Sequence, residues 1–133
     1  MTAQTPAKLV NNHAIVDYQG TADVKAGYVV LLGNIPFVAP SLLDYSEQVI
    51  GTLECCGRVY DMPQNAEQIS GGDIVYWNAT GTPVTGDASS GCITATSGSN
   101  KKFGIAAPLQ PNGNGTTLTT DSYVRVIHMP WAA

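Results

Sequence analysis

Apolar residues along this chain come in short clusters, each closed by Gly, Pro or Asn, and no segment keeps a 3.6-residue repeat over three turns. That pattern predicts strands and turns. The strands fall at Ala14–Tyr18, Tyr28–Leu32, Ile35–Ala39, a long interrupted one at Val49–Tyr60, Ile74–Asn78, Pro83–Thr85, Cys92–Thr96, Phe103–Ala107 and Tyr123–Met129. Tyr28–Leu32 is apolar throughout and is expected to be buried on both faces. Gly33-Asn34 supplies a hairpin turn between the second and third strands. Gly51 and Gly57 mark a bulge or bend within the long strand. Ser41 can cap one or two helical turns reaching Gln48, the only helix expected. Pro111-Asn-Gly-Asn-Gly-Thr-Thr117 reads, by composition, as a flexible surface loop.

One pattern occurs twice. Val24-Lys-Ala-Gly27-Tyr-Val-Val-Leu-Leu-Gly33 aligns without gaps on Ile69-Ser-Gly-Gly72-Asp-Ile-Val-Tyr-Trp-Asn78. In each copy a β-branched residue, two small or polar residues and a Gly precede an apolar strand, and a Pro follows at Pro36 and Pro83. Each half then ends on a similar phrase, Val59-Tyr-Asp-Met-Pro63 and Val126-Ile-His-Met-Pro130. The physical reading is a tight turn feeding a buried strand, used twice. The expected fold is all-β: a small barrel or sandwich of about 8–10 short strands with approximate internal duplication and at most one short helix.

Composition agrees with the pattern. Val, Ile and Thr number 33 against 17 Leu, Glu, Lys and Arg, a β-branched excess that favours strands. With 133 residues the chain suits one domain, here residues 13–133, preceded by a flexible polar arm over residues 1–12. Charged residues make up only 12% and the net charge is −4, so the chain is neither a disordered tail nor a phosphate binder, and nucleic acid is not an expected partner. Lys101-Lys102 is the sole basic pair. No apolar run is long enough to span a bilayer with a helix, and residues 1–10 lack the apolar core of a signal peptide. Cys55, Cys56 and Cys92 are read as free, mostly buried thiols of a protein made in a reducing compartment. Adjacent strand residues point to opposite faces, and both histidines lie far from the cysteines in sequence, so neither a bridge nor a metal is expected.

Candidate chemistry is sparse. Gly98-Ser-Asn-Lys-Lys-Phe-Gly104 has its lysines misplaced for a phosphate-binding loop, and no Gly-x-Ser-x-Gly occurs. His13 sits in the polar arm, and His128 alternates with Val124 and Val126 on the last strand without a visible partner. Asp44 and Glu47 read as surface charges. Tyr76 and Trp77 read as packing residues, and Trp131 as an inter-subunit contact. The expectation is no enzyme, no catalytic residue, no cofactor and no metal; the binding residues are left unknown.

The chain resembles the small bacteriophage capsid cement or decoration proteins, some relatives of which carry a recombinase label that the absent phosphate-binding loop does not support. The resemblance runs from about Asp17 to Met129 and is carried by Gly71-Gly-Asp-Ile-Val-Tyr-Trp-Asn78, Pro83-Val-Thr85, Lys102-Phe-Gly-Ile-Ala106 and Tyr123-Val-Arg-Val126. Tyr28 replaces an Asp of the family pattern. The likeness implies a virion structural protein, made in the bacterial host cytoplasm, that binds the outside of an icosahedral head and bridges capsid subunits. Its implied partners are the major capsid protein and further copies of itself, as a trimer or dimer, with no nucleic acid or membrane. A carbohydrate- or host-surface-binding module using Tyr76, Trp77 or Asn112-Gly-Asn114 is the alternative.

Overall fold

The computed structural model describes residues 15–18, 24–25, 27–40 and 51–130. Among these residues nine strands form two antiparallel sheets. In chain order they are β1 (Ile15–Tyr18), β2 (Val29–Leu32), β3 (Ile35–Val38), β4 (Gly51–Glu54), β5 (Val59–Pro63), β6 (Ile74–Asn78), β7 (Cys92–Thr94), β8 (Lys101–Ala106) and β9 (Tyr123–His128). The first sheet has the order β1-β4-β3-β2 and the second β5-β9-β8-β6-β7. The arrangement is sandwich-like and all-β. The edge strands of the second sheet approach one another at a single parallel bridge, Gln64 to Ile93.

The repeated turn is real. In the first copy the Tyr28 N–H donates to the Lys25 carbonyl at 3.1 Å, and in the second the Asp73 N–H donates to that of Ser70 at 3.0 Å. Gly27 and Gly72 take φ of 81° and 90°, the left-handed region a side chain disfavours. Each glycine N–H reaches across to a carbonyl on the partner segment, Ala39 and Ala106, at 2.8 Å in both copies. Both alanines return a bond, Ala39 N–H to the Tyr28 carbonyl and Ala106 N–H to that of Asp73. The two closing phrases lie side by side, as β5 and β9 pair antiparallel with Val59 opposite Ile127 and Tyr60 opposite Val126.

The main core lies between the sheets. Met62, Val75, Trp77, Ile93, Phe103, Val124 and Val126 of the second sheet are buried there with Ile69, and Val38, Val29 and Leu31 pack on them from the first sheet. Each fully buried apolar side chain of this size contributes about 1.5–3 kcal/mol. Alternate residues of β2, Val30 and Leu32, join Phe37 around Leu53 and Ala39 in a second cluster on the other face. The expectation that Tyr28–Leu32 is buried on both faces is met only in part: the strand packs on both sides, but Val29–Leu32 are half-buried and Tyr28 is exposed. Phe103 is the extra residue of a bulge: Val75 faces Gly104, but Tyr76 faces Lys102. That irregularity turns the Phe103 ring into the core. Next to it, a Cβ on Gly104 would run into the Ile127 carbonyl oxygen, so β9 approaches β8 only because residue 104 has none.

Several expectations need correction. Val49–Tyr60 is not one strand: β4 and β5 belong to different sheets, and Gly57 at φ 87° turns the chain between them. Pro83–Thr85 forms no ladder; its turn-rich flanks leave a loop, held where the Val84 N–H donates to the Gln64 carbonyl at 2.9 Å. The 111–117 segment is a pinned strap. Asn112 Nδ2 donates to the Thr116 carbonyl and to Asp121 Oδ2, and buried Thr117 exchanges bonds with Ile69 while its hydroxyl donates to the Glu67 carbonyl. Buried Gln64 and Gln110 hold the segments on either side, Gln64 through the Leu118 and Asp121 carbonyls and Gln110 through three backbone groups of Ala107 and Arg125. No helix occurs among the described residues, and the stretch expected to be helical, 41–48, lies outside them.

Candidate functional site

Two places concentrate polar chemistry. The first is a cleft of about 470 Å³ where the β2 edge of the first sheet meets the second. Exposed Tyr28 and Tyr123 stand at it, with Trp77 and Met62 beneath and Asp61 and Asp87 on its walls. Asp61 is engaged by Arg125, its opposite number on β9, through Nε–Oδ1 at 2.8 Å and a second guanidinium nitrogen to Oδ2 at 3.2 Å. The fork holds Arg125 protonated, raising its pKa first through the hydrogen bond and then through the carboxylate charge. Exposed to water, such a pair adds little to stability. The cleft's hydroxyls are turned to neighbours: Ser90 Oγ donates to the Asp87 carbonyl at 2.7 Å, and Thr85 Oγ1 pairs with Ser122 Oγ at 2.6 Å. Neither touches a base.

The second place surrounds His128. β9 places its ring inward, where it is 0% exposed, stacked on Phe103 with centroids 4.4 Å apart and met edge-on by Tyr60. Nε2 lies 2.8 Å from the Pro36 carbonyl of the first sheet, a bond that a ring N–H must donate. Nδ1 has no partner among the described residues. Burial lowers the His128 pKa, the Pro36 carbonyl acting weakly the other way, so the ring is neutral near pH 7. Burial likewise pushes up the Tyr60 hydroxyl, helped by the Glu54 carboxylate and opposed by Arg58.

Beside that ring lie two cysteines. Two sulfurs, of Cys55 and Cys56, and one His128 nitrogen fall within 4.8 Å of one another. The sulfurs of Cys55 and Cys56 lie against each other as a vicinal pair placed to bridge on oxidation, where three separate free thiols were expected; Cys92 is free and buried. The strand alternation that argued against a bridge ends at Glu54, because the chain bends through Cys56 and Gly57. Sequence distance also misled for His128, since the Gly57 N–H donates to the His128 carbonyl at 2.6 Å and so draws the bend onto β9.

The remaining candidates scatter. Tyr76 is half-buried and Trp77 buried on the opposite face of β6, so the two rings form no exposed platform. Asn112 serves the strap. Lys101 and Lys102 are half-buried at the start of β8. His13, Asp44, Glu47 and Trp131 lie outside the described residues, as does the 1–12 arm. The alternation of β5 and β9 leaves cross-strand pairs on their outward face, Val59 opposite Ile127, Asp61 opposite Arg125 and Pro63 opposite Tyr123. Sequence reading missed this row because strand pairing decides it.

Against known proteins, no curated sequence and no solved structure matches this chain. A family model does, that of the phage cement protein, over residues 10–121. That span takes in both copies of the repeated turn and eight of the nine strands in full, all but β9, and on its strength the chain belongs to the phage cement protein family.

Proposed function

We propose that this protein binds the outer surface of an icosahedral phage head and stabilises it by bridging neighbouring capsid subunits. Family membership gives the coarser part, a structural role in the phage in association with the capsid, and the match over residues 10–121 is the observation that carries the reading. A brace needs a stiff body and a surface to offer. The buried core and pinned strap supply the first. The outward row of β5 and β9, with Val59 57% and Tyr123 53% exposed, suits the second, because exposed apolar residues of this size gain from being covered.

The protein acts as a symmetric oligomer, trimer or dimer, so that each particle reaches more than one capsid subunit. Residues 1–12 form an arm that orders on the shell, and many modest contacts around the head add through avidity. The test is the stability of expanded heads to heat and pressure with and without the purified protein. Heads carrying it are expected to withstand more of both; equal stability would overturn the reading.

A further inference from the structure

We propose that Cys55 and Cys56, once reduced, form with Nδ1 of His128 a binding site for a thiophilic closed-shell metal ion, Zn²⁺ or Cu⁺. The donor set is already gathered, with both sulfurs and a ring nitrogen within 4.8 Å of one another. An independent observation points the same way: Nδ1 is a buried lone pair with no hydrogen-bond partner among the described residues, on a ring 0% exposed. Leaving such an atom unsatisfied is costly, and a ligand bond removes that cost.

The rest of the His128 environment is that of a metal-binding imidazole. Nε2 donates to a backbone carbonyl, Pro36 O at 2.8 Å, which fixes the tautomer and aims the other nitrogen's lone pair. Stacking on Phe103 fixes the ring plane. The neutral imidazole is the form that coordinates. Thiolate and imidazole donors select soft or borderline ions. Three protein donors satisfy Cu⁺; Zn²⁺ takes a fourth from solvent on the side of half-exposed Cys56.

The disulfide and the metal exclude each other. Two electrons from a thiol reductant break the S–S bond and yield two thiols, the reductant's own thiols ending as a disulfide. Each cysteine then loses its proton as its sulfur binds the ion. The site is thus open in a reducing cytoplasm and closed by oxidation.

The experiment reduces the full chain anaerobically, removes the reductant, and titrates it separately with Co²⁺, as a spectroscopic stand-in for Zn²⁺, and with Cu⁺ against a colorimetric chelator. At least one ion is expected to bind one per chain, with a thiolate-to-metal absorption band, and to shield two thiols from alkylation. Cys56→Ser should weaken binding by more than the roughly 10–100-fold that loss of a supporting hydrogen bond costs. Cys56 is half-exposed, so this variant keeps the fold, checked by its unreduced and reduced melting curves. A reduced chain that binds neither ion more tightly than the chelator's competing range, or one whose binding is unchanged in Cys56→Ser, would sink the proposal.

Discussion

The two copies of the repeated turn make the same bonds and serve different neighbourhoods. In the first, the strand leaving Gly27 meets its partner after only Gly33-Asn34, and β3 touches β4 at a single register pair, Val38 opposite Glu54. In the second, the strand leaving Gly72 meets β8 only after a long excursion that adds β7, and β8 is then flanked by β9 along Gly104–Ala106. Aligning Ala39 on Ala106 puts Phe37 where the second copy has Gly104. Among the described residues Phe37 has no register partner on the side of β3 away from β2, whereas β9 lies against Gly104 and leaves no room for a side chain. One local device therefore yields either a loosely flanked hairpin or the centre of a sheet, and the neighbours decide the side chain.

The sharpest way to break this comparison is Gly104→Ala. The new methyl meets backbone of Ile127 and Met129, which cannot move without parting two strands. The expected loss is more than about 4 kcal/mol, seen as failure to fold or a collapsed urea midpoint. At the aligned position, Phe37→Ala should cost less, because Phe37 is half-buried.

Next in size comes Trp77, aligned on Leu32. Trp77→Ala empties the main core and should cost about 3–5 kcal/mol, whereas Leu32→Ala, half-buried, should fall below the usual core range of about 2–5 kcal/mol. Equal costs in denaturant melts would mean that the two halves are packed alike after all. Smaller still are Gly27→Ala and Gly72→Ala. Nothing lies within 4 Å of either added Cβ, so only the backbone penalty of about 1–2 kcal/mol remains. It should be the same in both copies; a gap beyond 1 kcal/mol, about the error of such melts, would show that the turns are not equivalent.

The gentlest test is pH. His128 has its folded pKa pushed below the ordinary 6.5, so the unfolded chain takes up the proton first. Stability is full above about 6.5 and falls as pH drops from there through the folded value, by at most about 1.4 kcal/mol per pH unit. In metal-free buffer His128→Gln should flatten that slope between pH 6.5 and 5; a slope that survives the change would assign it to other groups.

Most strands were legible in the sequence because each carries its own evidence: apolar positions between residues with turn chemistry. β6 was placed to the residue, and the Gly27 and Gly72 turns were visible as a repeat. What failed needed knowledge of distant neighbours. The run Val49–Tyr60 looked continuous because apolar residues carry on past the bend, although its two ends join different sheets. The 111–117 segment looked loose because Asn and Gly announce a turn but not the carbonyls that Asn112 and Thr117 would find. At the candidate site, His128 was noticed and dismissed for want of a partner. Its hydrogen-bond partner is a carbonyl 92 residues earlier, and Gly57 brings a cysteine pair round beside the ring. No local pattern encodes either.

The bond from His128 to the Pro36 carbonyl also sets an order of events while the chain is being made. The β2–β3 hairpin closes through two residues and forms early, within microseconds of emerging from the ribosome. Its donor follows 92 residues later, a matter of several seconds at ordinary translation rates. Until β9 completes the second sheet, Val29, Leu31 and Val38 lack part of the surface they pack on, so a nascent chain displays a sticky surface that the finished protein hides. Interrupted translation of this gene would release precursors that clump, and slowing synthesis past Met62 would lengthen the hazard.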